Sequence, residues 1–323
     1  MVKGREVDLY DGVVRMLERD GYTVLREFSV WPGEGADARD VDAMGFRWDK
    51  DGNPDAWAVE AKDGDKPRHV LGALPQAIEY GLVAPQVSIA ARIATENLAY
   101  AAQPIRDLGI GYVCAGPTGA SSTISPRRMD GWPKSDLARW LRHAAALCLV
   151  TKELRSVVDA DWWTHTSVRP NGSTHYAVHT DEPVQIAFSA KSQPGEVAAV
   201  VWAEKKSKVK RIVEGLDPVR LHDAMAVAGV RGEISKRERS AWGPLKPAQD
   251  RAPIGGSAAE TERTLKWARR VLSGKRMIPV VEIRIPLWDF TALPDRGAAT
   301  QAVKDSMARL APVRAVLKAA LTA

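Results

Sequence analysis

The chain has 323 residues, of which 45% are hydrophobic and 27% are charged, and its formal net charge is +6. Such a length supports large apolar cores and predicts two domains. The only two cysteines, Cys114 and Cys148, lie in apolar stretches, which excludes a disulfide framework and a cysteine-rich zinc site. Residues 1 to 20 are charged and amphipathic, and the most apolar predicted helix, Leu137 to Val150, is too short to span a bilayer. We therefore expect a cytoplasmic protein without a signal peptide or a membrane contact.

The N-terminal third predicts a helix followed by a small sheet. Apolar residues at helical spacing predict a helix from Glu6 to Asp20, and Gly21 is suited to end it. Further along the chain the pattern predicts strands over 22–30, 41–46 and 57–62, a helix over 69–82, a strand over 86–91, a helix over 96–108 and a strand over 109–115. The turn-forming residues 49–54 predict a hairpin between the second and third strands.

Three charged residues stand out on that hairpin. Side chains alternate along a strand, so Glu60 and Lys62 lie on one face of the third strand. A hairpin centred near Asp51 brings Asp42 of the second strand opposite Glu60. Two carboxylates and an ammonium in one place suit a hard divalent cation with oxygen ligands and a water beside it.

Other interpretations of these residues stay open. Glu-x-Lys alone is a weak signal, and Glu204-Lys205-Lys206 has the same spacing at the head of a basic run, which is typical of a solvated edge. Asp40 competes with Asp42 for the same role. Glu60 and Lys62 also fit an ion pair without a metal.

The order of elements, together with Asp42, Glu60 and Lys62, resembles the PD-(D/E)XK nuclease superfamily over about residues 1–116. Gln76 and Tyr80, four residues apart on the next helix, resemble the Q-x-x-x-Y motif of its RecB-type members, and Glu6 is similar in placement to a glutamate on the first helix of many members. The resemblance implies an α/β fold with a restriction-endonuclease-like mixed sheet flanked by helices.

The resemblance also implies roles for these residues. Asp42, Glu60 and the carbonyl of Ala61 would hold Mg²⁺, with Mn²⁺ as a substitute, and Lys62 would position the attacking water. Gln76 and Tyr80 would orient the substrate or that water. Packing alone also explains Gln76 and Tyr80, and the helix dipole alone explains a glutamate at position 6. His69, after the polar loop, is either a surface residue or a nucleic-acid contact.

The remaining two thirds predict a separate α+β domain of unrecognised family. A Pro-, Gly- and Ser-rich linker over 116–135, which contains Arg127 and Arg128, divides domain 1–130 from domain 131–323. Beyond the linker we predict a helix over 135–158, strands over 174–179, 184–189 and 196–202, a basic and partly irregular region over 205–251, a helix over 257–274, a strand over 278–287 and a final helix over 297–321 with Pro312 inside it.

Charge is uneven along the chain. Residues 1–150 contain 18 Lys and Arg against 21 Asp and Glu, whereas residues 201–323 contain 24 against 13. The C-terminal part is therefore expected to attract a polyanion. The candidate nucleic-acid contacts are Lys205, Lys206, Lys208, Lys210, Arg211, Arg127 and Arg128, with the basic residues 236–239 near Trp242 as a further possibility. The spacing of His165, His175 and His179 argues against a metal site.

Together these features predict a Mg²⁺-dependent endonuclease that hydrolyses phosphodiester bonds, and we favour DNA over RNA as its substrate. The C-terminal domain would supply affinity, target choice or a homodimer contact. Two alternatives stay open: a non-catalytic nucleic-acid-binding protein on a nuclease-like scaffold, and an RNA-processing nuclease of the same fold.

Overall fold

The computed structural model describes residues 3–30, 39–116, 119–128, 136–155, 162–163, 174–179, 184–191, 195–203, 206–238, 248, 250–272 and 277–322. Within these ranges the protein is a mixed α/β structure with two sheets, each packed against helices. Among the described residues no helix is both long and apolar enough to cross a membrane.

The first sheet has six strands in the order β1 to β6. Its elements are α1 (Lys3–Arg19), β1 (Thr23–Val30), β2 (Arg39–Trp48), β3 (Pro54–Lys62), α2 (Pro67–Tyr80), β4 (Gln86–Ala91), α3 (Ala102–Asp107), β5 (Gly111–Gly116) and β6 (Gly119–Ile124). The strands β3, β4 and β5 are parallel to one another, and the other neighbouring pairs are antiparallel. The predicted first helix and the strands up to β5 are confirmed.

The hairpin between β2 and β3 fixes the register of the central strands. Asp49 opens the turn, and its Oδ1 accepts hydrogen bonds from the backbone N–H groups of Asp51 and Asn53. Gly52 has a φ of 77°, which a residue without a Cβ adopts at little cost. The resulting ladder pairs Ala43 with Val59.

Two predictions for this region were wrong in part. The predicted linker contains β6, which pairs antiparallel with β5 and also packs against α1. Alternation is weak in β6 because most of its side chains are small and none is fully buried, so composition alone indicated a loop. The predicted helix over 96–108 is instead two short 3₁₀ turns, at Thr95–Asn97 and Ala99–Ala101, followed by α3.

The second sheet is antiparallel, and its strand order is β12-β11-β13-β10-β9-β8-β7. Its elements are α4 (Asp136–Arg155), β7 (Trp162–Trp163), β8 (Thr174–His179), β9 (Gln185–Lys191), β10 (Glu196–Ala203), α5 (Lys206–Gly215), α6 (Pro218–Ala228), β11 (Arg231–Glu238), β12 (Asp250–Ile254), α7 (Ala258–Leu272), β13 (Met277–Asp289) and α8 (Arg296–Thr322). The predicted strands and helices here are confirmed within a few residues.

The exception is the region 205–251, which we predicted to be partly irregular. Its described residues form two helices, the strand β11 and the start of β12, because apolar residues are spaced among the basic ones; residues 205, 239–247 and 249 lie outside the described part. On α5 the side chains of Val209, Ile212 and Val213 are fully buried. On α6 Asp217 caps the first turn and Gly229, with a φ of 61°, ends the helix. The many basic residues of α5 therefore hid the helical spacing of its apolar residues in the sequence.

The helix α4 joins the two sheets. It packs against β2 and β3 of the first sheet, against β8 to β10 of the second, and along α8. One apolar cluster runs from the α2 face of the first sheet through Trp140 and Leu141 of α4 to Phe188 of β9. A smaller cluster, which includes Leu9 and Val13, lies between α1 and the opposite face of the first sheet.

Candidate active site

The strand β3 brings two charged side chains to the carboxyl end of the parallel strands. Its central residues are apolar and buried on both faces, so the strand is fixed between α1 and α2. At its end the Glu60 side chain is only 2% exposed, whereas that of Lys62 is 34% exposed. The Nζ of Lys62 lies 2.5 Å from Oε1 of Glu60. The pair therefore has one buried member and one that reaches solvent.

Asp42 lies beside this pair. It is one residue before Ala43, which pairs with Val59, so Asp42 and Glu60 are neighbours across the β2–β3 ladder. Its Oδ2 accepts a hydrogen bond of 2.7 Å from the N–H of Ala61, and its Oδ1 accepts one of 3.1 Å from the hydroxyl of Tyr10. Both carboxylate oxygens are thus held in place.

The surroundings of Asp42 favour its protonated form. Burial, and then the nearby charge of Glu60, raise the pKa of the Asp42 carboxyl from 3.8 to about 6. The hydrogen bonds from Ala61 and Tyr10 and the charge of Lys62 act in the opposite direction. Two carboxylates with one lysine form a cluster with excess negative charge.

The helix α2 completes the arrangement with two polar side chains. It begins at Pro67, and its buried residues Val70, Ala73 and Ala77 hold it against the sheet. The Oε1 of Gln76 accepts a hydrogen bond of 2.9 Å from Lys62 Nζ. The hydroxyl of Tyr80 lies 2.9 Å from Oε2 of Glu60 and 2.9 Å from the backbone oxygen of Asp40.

Tyr80 is held as a neutral hydrogen-bond donor. Burial, and then the charge of Glu60, raise the pKa of its hydroxyl well above the ordinary value. The structure therefore brings Asp42, Glu60, Lys62 and Gln76 together with Tyr80 around one spot. Asp40, the competitor of Asp42, is exposed and contributes its backbone oxygen to Tyr80.

Other predicted residues lie elsewhere. Arg128 is at the opposite end of β3, where its Nη1 is 3.1 Å from Asp55 Oδ1. Arg127 is next to it, and its N–H donates to the backbone oxygen of Gly109. These two arginines belong to the amino edge of the parallel strands, away from Glu60.

The described part of the basic run 205–211 lies on α5, a helix that packs on the second sheet. Lys210 and Arg211 are exposed on α5, which packs against α7, α8 and β13, and Lys210 Nζ is 3.8 Å from Oε1 of Glu214.

Several predicted residues lie outside the described part: Lys205 and His165 entirely, and the side chains of Glu6, Lys206, Lys208, His175 and His179. The half-buried ring of His69 packs against Gly64.

Sequence reasoning missed Tyr10. Tyr10 belongs to the apolar spacing that predicts α1, yet its hydroxyl donates a hydrogen bond to Asp42 from the face of the sheet opposite α2. The available signal was its position four residues after Glu6, which places both residues on one helical face.

The donor set agrees with a magnesium site of few protein ligands. Across the described residues no group of three or more His, Cys, Asp or Glu side chains converges on a point that could hold a metal. Mg²⁺ is usually held by one or two carboxylates, with waters and substrate phosphates completing its coordination. Asp42 and Glu60 supply two such carboxylates, and each oxygen keeps a lone pair beyond the hydrogen bond it accepts. The residues present therefore fit the ion.

Comparisons with known proteins do not assign a family. No protein-family model matches the chain, and no curated protein matches it. A solved structure of a protein of unknown function from Silicibacter pomeroyi matches with 19% sequence identity and a TM-score of 0.32, covering 47% of this chain and 88% of its own. A superposition this loose supports no inference about fold or function.

Proposed function

We propose that this protein is a divalent-metal-dependent nuclease with a restriction-endonuclease-like first sheet, and that DNA is its substrate. The observation that supports the proposal is a cluster in which hydrogen bonds and an ion pair link Glu60, Lys62, Gln76 and Tyr80, with the Asp42 carboxyl group beside them and its pKa raised in part by the charge of Glu60. Three separate elements contribute to it. A surface ion pair would not require a buried glutamate, a second carboxylate and a neutral tyrosine around it.

Asp42 and Glu60, with the backbone oxygen of Ala61, would hold Mg²⁺ or Mn²⁺. Such an ion lowers the pKa of an attacking water and offsets the negative charge of the phosphodiester. Burial is the largest cause of the raised pKa of Asp42, and the charge of Glu60 is the second; a bound cation would offset this repulsion between the two carboxylates.

The protein groups have separate tasks. Lys62, with its partly exposed ammonium, would stabilise the charge that develops on the phosphate oxygens. Gln76 would orient the Lys62 ammonium, because its Oε1 accepts a hydrogen bond from Nζ. Tyr80 and Tyr10 would fix the two carboxylates by donating to Glu60 and Asp42. These contacts keep the acidic pair oriented before substrate arrives.

The test is a cleavage assay on plasmid, linear duplex, single-stranded DNA and RNA, with and without Mg²⁺. We expect Glu60→Ala and Lys62→Ala each to abolish cleavage while the far-UV circular dichroism spectrum stays unchanged. Asp51→Ala, at the exposed turn of the same hairpin, is the matched control and should cut at the wild-type rate. Wild-type cleavage by both site variants would refute the assignment.

One observation favours the non-catalytic alternative, a nucleic-acid-binding protein. Lys62 Nζ lies 2.5 Å from Glu60, so part of the acidic charge is already neutralised within the protein. A Mg²⁺ titration followed by thermal unfolding separates the two functions. The nuclease requires a Mg²⁺-dependent rise in Tm that Glu60→Gln removes, whereas the binding protein requires none. Cleavage of RNA alone would select the RNA-processing alternative.

A further inference from the structure

An arginine directly follows the neighbouring parallel strand, one residue beyond the partner of Lys62. The register of β3 and β4 pairs Lys62 with Ala91, the last residue of β4. Arg92 is the next residue, so it leaves the sheet at the same carboxyl edge as Lys62. Strands in a sheet are about 4.8 Å apart, which puts the two backbones side by side.

The guanidinium of Arg92 is held over the turn that follows the candidate site. Its Nε donates a hydrogen bond of 3.3 Å to Oδ1 of Asp63, the residue directly after Lys62. The side chains of Arg92 and Asp63 are 20% and 22% exposed, so the pair borders solvent without projecting into it. Asp63 thereby fixes the arginine at the rim of the site.

The turn itself is tightly built. The N–H of Gly64 donates to the backbone oxygen of Lys62, and a Cβ at position 64 would overlap the ring of His69. Two exposed cations, Lys66 and Arg68, follow at the start of α2, whose first turn contains no acidic residue. The positive end of the α2 dipole adds to their field. On this edge the three cations Arg92, Lys66 and Arg68 therefore exceed the two carboxylates, Asp63 and Asp65, by one charge.

We propose that Arg92 binds a phosphate of the nucleic-acid substrate next to the scissile bond, and that Lys66 and Arg68 contact the phosphates that follow. This inference rests on the proposed nuclease function and names the surface that holds its substrate. A guanidinium matches two phosphate oxygens in a planar fork, which an ammonium cannot do. It also moves the principal nucleic-acid contact from α5 to the edge of the first sheet.

The experiment uses the full chain with Arg92→Gln, Arg92→Lys and the control Arg106→Gln. Arg106 is exposed in the last turn of α3, which leads to the opposite edge of the sheet. Binding of a short fluorescein-labelled DNA duplex and of its single strand is measured by anisotropy across a salt series, with Ca²⁺ replacing Mg²⁺. Arg92→Gln should weaken binding about tenfold. It should also reduce the salt slope, which is the slope of log Kd against log salt concentration, by roughly one, as expected for one lost phosphate contact.

Arg92→Lys separates phosphate recognition from a structural role. This variant should keep the salt slope, because the positive charge is retained. It should lose part of the affinity, because an ammonium lacks the planar pair of N–H donors of a guanidinium. A neutral methylphosphonate introduced at successive positions of the probe should weaken wild-type binding at the contacted phosphates, and in Arg92→Gln the penalty should disappear at one of these positions only. Unchanged Tm values would show that the variants are folded.

Cleavage by Glu60→Ala and binding by Arg92→Gln separate a failure of the phosphate contact from a failure of the nuclease. If Glu60→Ala is inactive but Arg92→Gln keeps the wild-type affinity and salt slope, the phosphate contact is refuted and the nuclease stands. If no metal-dependent cleavage occurs but binding depends on Arg92, the nuclease fails and the contact surface is supported. Absence of binding to both probes overturns the inference.

Discussion

The two ends of β3 hold buried carboxylates in opposite electrostatic conditions. At the amino end, the fully buried Asp55 lies 3.1 Å from Arg128 and 3.5 Å from Arg47. The side chains of Gln86 and Tyr22 donate to the same carboxylate at 3.1 and 3.5 Å. One negative charge is therefore matched by two cations and two neutral donors.

At the carboxyl end the balance is reversed. Asp42 and Glu60 share one cation, Lys62, and the pKa of Asp42 is raised to about 6. Both clusters bury charge, but among the described side chains only this one has more carboxylates than cations. The difference shows that burial of a carboxylate does not by itself indicate a metal site. The local balance of charge separates a structural ion cluster from a candidate active site.

The largest effect is expected from breaking the amino-end cluster. Asp55→Ala leaves two arginines, Tyr22 and Gln86 without their shared acceptor, and should lower the free energy of unfolding by about 3 kcal/mol. Urea denaturation followed by tryptophan fluorescence measures the change, and cleavage per folded molecule should be preserved. Asp51→Ala should be almost neutral in the same experiment. A loss no greater than that of this control would show that the cluster contributes little to stability.

Next in size are changes to the side chains that orient the acidic cluster. Gln76→Ala and Tyr80→Phe should slow turnover about 10- to 100-fold without preventing metal binding, because these groups position reactants and do not ligate the ion. Single-turnover kinetics and a Mg²⁺ titration read out the two effects. Glu79→Ala is the control on the same helix and should be nearly silent. If Glu79→Ala is damaging and the other two are neutral, the roles assigned to α2 are wrong.

A smaller effect on stability is expected from removing the negative charge of Asp42. Because folding raises the pKa of Asp42 from 3.8 to about 6, the native state binds this proton more tightly than the unfolded state, and metal-free stability falls as pH rises between those values. Asp42→Asn should therefore be more stable than the wild type above pH 6, by about 1 kcal/mol after allowance for solvent screening. The advantage should vanish below the unfolded pKa of 3.8.

Urea denaturation in EDTA at several pH values measures this difference. Cleavage by Asp42→Asn should be lost at every pH, while wild-type cleavage should rise with pH through about 6, as a carboxylate that binds metal must be ionised. A variant that is less stable than the wild type at pH 8 would contradict the charge comparison.

The smallest effect is expected from Tyr10→Phe. This change removes one donor to Asp42 Oδ1 and leaves the hydrogen bond from Ala61 in place. Mg²⁺ affinity should fall by about 0.5 kcal/mol, the low end for a single hydrogen bond. Isothermal titration calorimetry measures it, and Tyr100→Phe, whose side chain is exposed, is the control. Equal affinities in the two variants would remove Tyr10 from the site.

Sequence reasoning performed best where periodicity and turn chemistry agreed. The hairpin at Asp49 to Asn53 and the face shared by Gln76 and Tyr80 followed from strand alternation and helical spacing, and both are present. The neighbourhood of Asp42, Glu60 and Lys62 could be predicted for the same reason. Their catalytic roles stay a prediction.

The partners that come from distant elements could not be predicted. Tyr10 reaches Asp42 across 32 residues, and Arg92 depends on the β3–β4 register, which one sequence does not reveal. The nucleic-acid contacts predicted from charge stay a prediction, and charge alone did not show which sheet or helix layer each basic residue would occupy. Arg128 forms an ion pair with Asp55, and α5 packs against the helices and β13 of the second sheet.

The sharing of α4 between the sheets has a consequence for cooperativity. Trp48 of β2 donates to Glu153 of α4, which also pairs with Arg296 at the start of α8, while Trp140 of α4 donates to the backbone oxygen of Ala190 on β9. Loss of either sheet would expose one side of this helix to water. Heat or denaturant should therefore unfold both sheets in one transition. Residues 1–130 expressed alone would lack α4, which packs against the strand that carries Glu60.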